Sequence, residues 1–428
     1  MSNPKISRRN WVKLASAGVV FGGSRWLIPE AARAAQSPGR SIKSCILLFM
    51  NGGPSQHHTF NLPTQNGDYQ GMQTSVPGVV ISEYLPRLGR IAHKLALLRS
   101  MSTGNSVHER ARVLMHTGYN PIGTVAYPSI GNIASAELGQ AESELPNFVT
   151  LYAGSDGLGS GPLHLNGPAY LGPRHAPLAV ADPDRGIEFL RPHLDRASLD
   201  DAARLIDRMD QRFLEDYHAS PAAAHRSNYQ RALNLVNSTK AQAFDLMREP
   251  QGMRDAYGSS QFGKCCLAAR RLVEAGIPFV EVTLDGWDDH GGTARNIARR
   301  SAYLDRAMAT LIEDLEQRGL LETTLVVWMG EFGRTPATGT GYNQTLGGGH
   351  FARAWTTVLA GAGIRPGVVG RTDAAGGEVT DTPISAQDFL ATICRALGID
   401  FHKEYMTREN RPMRFLQPSA TPIPALFA

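Results

Sequence analysis

The chain has little of several things that would mark other protein classes. Only four cysteines occur in 428 residues, Cys45, Cys265, Cys266 and Cys394, and none lies in a CxxC spacing. That excludes a disulfide framework and a cysteine-only zinc ribbon, and predicts thiols that pack as small apolar side chains. Long apolar runs are also missing. The best candidate, residues 14–28, holds Gly18, Gly22, Gly23, Ser24 and Arg25, which makes it too short and too polar for a stable membrane span. Nor is there a large charge of one sign. The net charge is +4, but residues 1–34 carry Lys5, Arg8, Arg9, Lys13, Arg25 and Arg33 against Glu30, which is +5. The remainder is therefore 4 − 5 = −1. With no Lys/Arg run interleaved with aromatics, nothing points to a nucleic-acid partner.

What the amino terminus does have is an export pattern. Ser7-Arg-Arg-Asn-Trp-Val-Lys13 precedes the weakly apolar stretch, which ends in the small-x-small signal Ala32-Arg-Ala34. This reads as a twin-arginine signal peptide over residues 1–34, and implies the Tat export machinery as a partner and a periplasmic or secreted protein. The scarcity of cysteine agrees with a route that carries proteins already folded in a reducing cytoplasm.

Beyond residue 40, apolar β-branched runs alternate with helical periodicity. Strands are expected at Ser44–Met50, Lys94–Leu98, Phe148–Tyr152, Pro278–Leu284, Thr323–Met329 and Thr356–Ala360. Helices are expected at His108–His116, Gly263–Glu274, Ala298–Glu316 and Ala386–Leu397. Such alternation predicts an α/β domain over residues 40–418, with a mainly parallel central sheet and helices on both faces. Between residues 182 and 261 charges, Ala and Leu recur at helical spacing, which predicts a helical insertion within that domain.

Polar clusters among glycines follow the strands, where an α/β protein carries its chemistry. Asp288 and His290 stand two residues apart on the loop after Leu284, so that on an extended segment both side chains point one way. Glu331 follows the next strand, and Arg334 offers a planar fork for a phosphate or sulfate oxyanion. His350 lies behind three glycines that permit close approach to a ligand. Asp, His, Glu and His together suit a hard or borderline divalent cation. The competing readings are a capping Asp with a surface His, and an internal Glu331–Arg334 ion pair.

The strings Leu48-Phe-Met-Asn-Gly-Gly-Pro-Ser55, Met115-His-Thr-Gly-Tyr119, Gly286-Trp-Asp-Asp-His290, Gly330-Glu-Phe-Gly-Arg-Thr-Pro336 and Gly347-Gly-Gly-His350 carry a resemblance. They resemble the Tat-exported bacterial family of domain of unknown function 1501, itself similar to the sulfatase and alkaline phosphatase superfamily. The resemblance implies an alkaline phosphatase-like fold with Asn51, Asp288, His290, Glu331 and His350 in metal-ligand places. It also implies that Arg112 stands at an arginine of the sulfatase nucleophile motif and His108 at the nucleophile itself. Three departures accompany it. Asn51 is neutral where a carboxylate is usual, Phe332 replaces a second His, and His108 replaces Cys, Ser or Thr, which excludes formylglycine chemistry there.

The expectation from these residues is an exported metallohydrolase of phosphate or sulfate esters using metal-activated water. Its substrate would be an anionic small molecule or polysaccharide. Catalytic roles fall to His108, Arg112, Glu331 and Arg334. Zinc is favoured by the His content, with manganese or calcium as alternatives. The alternative function is a non-catalytic binding or assembly protein of the cell envelope on the same fold.

Overall fold

Each central strand is a run of six or seven residues in which apolar side chains predominate and nearly every residue is buried, the pattern of a strand covered on both faces. The computed structural model describes residues 44–427 apart from 65–69, 122–124, 141–142, 154–166, most of 187–237, 292, 337–347 and 408. Its main sheet contains β1 (Ser44–Met50), β2 (Leu95–Met101), β3 (Phe148–Ala153), β4 (Leu178–Val180), β5 (Phe279–Leu284), β6 (Thr324–Met329), β7 (Trp355–Gly361) and β8 (Gly367–Val369). The spatial order is β8-β2-β7-β6-β1-β5-β3-β4. All strands but β7 run one way; β7 is antiparallel to both β2 and β6. This is the mainly parallel sheet that the alternation predicts.

The two faces follow from the period of two along a strand. Ile46, Leu48 and Met50 of β1 join one core with α4 (Gln261–Glu274) and α5 (Thr293–Gln317). Cys45, Leu47 and Phe49 join the other, with α1 (His108–Thr117), α2 (Ile130–Glu137) and α6 (Ala386–Leu397). Helix ends carry the expected chemistry. Ser260 and Ser385 cap α4 and α6 through their side chains, Ser129 and Asn132 form a capping box on α2, and α1 and α6 stop at left-handed Gly118 and Gly398. All four cysteines are free and buried. Among the described residues no helix is long and apolar enough to cross a membrane.

Some elements go beyond the sequence expectation. α2 has a sequence rich in small residues, and β4 and β8 are three residues long, so neither gives a periodic signal. α5 begins at Thr293 rather than Ala298, adding a turn that buries Ile297. The expected signal peptide of residues 1–34 and most of the expected helical insertion of 182–261 lie outside the described residues. The described end of that insertion holds 3-10 turns at Thr239–Phe244 and Leu246–Arg248, followed by α3 (Gln251–Tyr257). It is fastened by Arg270, fully buried on α4, whose guanidinium meets Glu249, Glu274 and Asp314 at 2.6–2.8 Å.

Candidate metal centre

Three adjacent central strands, β6, β1 and β5, end side by side, and their next residues form the floor of the site. Asn51 follows β1, Asp285 follows β5, and Glu331 lies two residues past β6. Because β7 runs backwards, its starting end lies at this same edge. The short bridge His350–Phe351, paired with Gly333–Arg334, therefore brings His350 there too. β2 ends at the same edge, and the chain then turns into α1, whose first residue is His108.

His108, Asp288 and His350 converge. Asp288 Oδ1 lies 3.2 Å from His108 Nε2 and 3.0 Å from His350 Nε2, and the two Nε2 atoms are 3.1 Å apart. His290 joins the rim, with Nδ1 3.4 Å from Asp288 Oδ1 and its side chain 47% exposed. The other ring nitrogens are committed. His108 Nδ1 donates to Glu331 Oε1 at 2.7 Å, and His350 Nδ1 donates to the Ser106 carbonyl at 3.0 Å. A carboxylate and a carbonyl only accept, so both neutral rings carry their proton on Nδ1 and turn the Nε2 lone pair inward. Two lone pairs and a carboxylate oxygen facing one another repel unless a cation or a proton stands between them. Burial alone would lower the His108 pKa, but hydrogen bonds and charge from Asp288 and Glu331 outweigh it and raise it to about 9. Burial likewise opposes ionisation of Asp288, yet His108, His350 and Arg334 hold its carboxyl well below the usual carboxylate range.

The donor set fits a divalent ion. The edges of 3.0–3.2 Å approach the separation of ~3.3 Å between ligands held about 2.0 Å from a tetrahedral zinc. Among the described residues, these three side chains form the group whose ligand atoms come within 4.8 Å of one another. Each imidazole also has the outer acceptor that ligating histidines use to fix their tautomer.

The surroundings reassign several expected roles. Glu331 is fully buried and its oxygens accept from Gly52 N, Gly53 N and His108 Nδ1, so it positions His108 rather than presenting a lone pair to the cavity. Gly52 permits this contact. Its φ is +119°, and a Cβ there would lie 2.4 Å from the Asp288 amide nitrogen. Arg334, expected to meet an oxyanion, is turned into the protein. The residue is 1% exposed and donates to the carbonyls of Gly52, Gly53, Trp287 and Asp289 and to Asp288 Oδ1 at 2.7 Å. It is a clamp that fixes the Asp288 loop on the β1 loop. Asn51, expected as a ligand, donates through Nδ2 to Asp285 Oδ1 at 2.8 Å, and its buried Oδ1 has no hydrogen-bond partner. Arg112 does face the cluster, with Nε 3.8 Å from Glu331 Oε1 and no hydrogen bond on that nitrogen. His108, in the expected nucleophile place, stands among the converging nitrogens. Phe332 fills the position of the missing second His, its ring tilted against those of His108 and His350 with centroids 4.8 Å from each.

Asp285 had no role assigned from sequence. It accepts from Asn51, from Gly286 N and from Tyr152 OH at 2.8 Å each. Its signal was positional: it is the first residue after β5, as Asn51 is after β1. Among the secondary histidines, His116 is buried against Glu281 at 3.4 Å, and His57 and His58 are buried in a 3-10 turn.

Residues 42–427 match the family described as Protein of unknown function (DUF1501), and the chain belongs to that family. A comparison with curated proteins gives no match. Among solved structures, the chain is similar to the lipoteichoic acid synthase LtaP from Listeria monocytogenes at 11% identity, covering 84% of this chain and 73% of that chain, with a TM-score of 0.37. It is similar to the PsFucS1 sulfatase from Pseudoalteromonas sp. at 13% identity, covering 88% and 73%, with a TM-score of 0.39. It is also similar to the phosphonate monoester hydrolase of Agrobacterium radiobacter at 11% identity, covering 84% and 74%, with a TM-score of 0.37.

Proposed function

We propose that this member of the DUF1501 family is an exported, metal-dependent hydrolase of phosphate or sulfate esters. The observation that carries the proposal is the convergence of His108 Nε2, His350 Nε2 and Asp288 Oδ1 with both Nδ1 atoms held outward. Those three residues would hold a divalent ion, with His290 at the rim. Two imidazoles and one carboxylate favour zinc over manganese, and over calcium, which prefers oxygen. When bound, the ion would polarise the ester oxygen and lower the pKa of an attacking water. Glu331 keeps His108 in its ligating tautomer. Arg112 neutralises charge developing on the phosphoryl or sulfuryl oxygens. His290, half exposed beside Asp288, is placed to take the proton from water or return one to the departing alcohol. No side-chain nucleophile is required.

The twin-arginine pattern motivates the reading of this protein as a Tat substrate acting in the periplasm or outside the cell, on an anionic small molecule or polysaccharide. The test is elemental analysis of gently purified mature protein, followed by a screen of phosphate and sulfate mono- and diesters. Near-stoichiometric metal is expected, with turnover that disappears in His350→Ala and Asp288→Ala while folding persists. Protein that holds no metal and takes up none on titration would sink the reading. A second reading, a non-catalytic binding or assembly protein of the cell envelope, is favoured by Glu331, whose oxygens are taken by two backbone amides and His108 and so are not free for general-base work. Retained metal without turnover of any ester would favour it.

A further inference from the structure

The loop that carries Asp288 also walls a second cleft. Leu284 and Asp285, at the end of β5, line one side of a cavity of about 390 Å³ whose other side comes from residues 299–306 of α5 and the start of α4. Arg299, Arg300 and Arg306 of α5 all line it. Asp285 is the acid among the lining residues, it is 4% exposed, and its oxygens are already taken by Asn51, Gly286 N and Tyr152.

The arginines are not neutralised to match. Arg300 Nη1 meets Asp289 Oδ2 at 2.7 Å, but its Nε has no partner although the residue is only 7% exposed. Arg306 donates to the carbonyls of Ala256 and Asp255, contacts that hold its guanidinium without cancelling its charge. Arg299 is exposed and makes no ion pair among the described residues. Two carboxylates, Asp285 in the wall and Asp289 on Arg300, thus stand beside three guanidinium groups, and of the three only Arg300 is in an ion pair among the described residues. The fourteen-residue helix α4 begins at the same cleft, with Ser260 as its cap, so its dipole adds positive potential. Like charges gathered around a cavity repel unless an anion joins them.

We propose that this cleft is an anion-binding subsite that takes a sulfate, phosphate or carboxylate group. On the hydrolase reading, on which this part rests, it seats a second anionic group of the substrate whose first is processed at the His–Asp cluster. The shared loop 285–290 makes the two sites neighbours, so the preferred substrate is multiply anionic.

The test separates the two sites. Calorimetric titration at constant ionic strength uses inorganic phosphate, inorganic sulfate and acetate as probes, with the full mature chain carrying Asp288→Asn so that the His–Asp cluster is disabled. Saturable binding of at least one anion is expected, and the anion that binds identifies the chemical class. Arg299→Glu, on an exposed helix position, should weaken it about tenfold or more, as should Arg306→Gln, since each removes a charged donor. Unchanged melting temperature in Arg299→Glu would show that the fold is kept. No binding, or binding indifferent to both substitutions, overturns the subsite. For turnover, Arg299→Glu in the otherwise native chain should raise KM for a doubly anionic ester and leave kcat, and the KM of a singly anionic one, unchanged. Equal effects on both esters overturn the substrate assignment. Anion binding without turnover of any ester supports the subsite and overturns the hydrolase reading instead.

Discussion

At the scale of single residues, the site depends on groups whose roles differ from what their types suggest. Glu331 is a carboxylate after a central strand, an ordinary ligand position, yet it spends its oxygens on two backbone amides and one imidazole. If it fixes the ligating tautomer of His108, Glu331→Gln should lower zinc affinity about 10–100-fold, the usual effect of losing an outer partner of a metal ligand. A competition titration against a chromophoric chelator measures this, and equal affinity would refute the positioning role. Gly52 is the residue that lets the loop close. Gly52→Ala forces a left-handed backbone on a branched centre and sets a methyl against the Asp288 amide. We expect a loss of at least ~1–3 kcal/mol of stability for the strained conformation, read by denaturant unfolding. A wild-type midpoint in that variant would show that the loop relaxes elsewhere. The sequence displayed these residues but not their roles, because a role depends on which neighbours consume each lone pair. Arg334 makes the point: nothing in its local sequence shows that four carbonyls from two loops surround it.

At the scale of elements, α1 couples the candidate metal centre to the sheet. His108, Arg112 and His116 recur at i, i+4 and i+8, so that one helix face meets Glu331 at the strand ends and Glu281 within β5. His116 and Glu281 are both almost fully buried and lie 3.4 Å apart, with the His116 Nδ1 donating to the Arg112 carbonyl. Burial opposes the charged imidazole, but the negative charge of Glu281 beside it outweighs burial and raises its pKa. A raised folded pKa stabilises the native state fully below the unfolded value of about 6.5. That contribution is lost as pH rises through the folded value. The melting temperature of the native chain should therefore exceed that of His116→Gln most near pH 6, and the gap should shrink toward alkaline pH. A gap independent of pH would mean that the pair is neutral. The central strands and α6 were legible from apolar runs and periodicity. α2 was not, because its burial is set by the capping box and by packing of Ile130 and Ile133 rather than by a long amphipathic pattern. The direction of β7 was also hidden, since a seven-residue buried run reads the same in either sense.

At the scale of the molecule, the proposed metal site would link binding to stability. The candidate ligands come from three separate segments of the chain, around residues 108, 288 and 350, so on the metal-centre proposal the native state should bind an ion far better than the unfolded chain. Zinc at 100 times its dissociation constant should add about 2.7 kcal/mol of stability. A scanning calorimeter should show a higher melting temperature with zinc, reversed by chelator and absent in Asp288→Ala with His350→Ala. No shift in the native chain would remove the case for a native metal site.

The sequence by itself determined the class of fold and the candidate ligands, because apolar runs specify buried strands and Gly-flanked Asp and His residues mark strand-end loops. Asp288 and His290 were paired from spacing alone, and the structure brings them to 3.4 Å. Only the tertiary structure decided which candidates meet. The antiparallel turn of β7 carries His350 to the strand ends, and the helix after β2 presents His108 to it. The tertiary structure also decided that Arg334 is buried as a clamp, and that three arginines of α5 gather around a cleft beside the cluster. These outcomes rest on contacts between segments up to 282 residues apart, a separation at which local pattern carries no information and only the packed chain fixes which donor meets which acceptor.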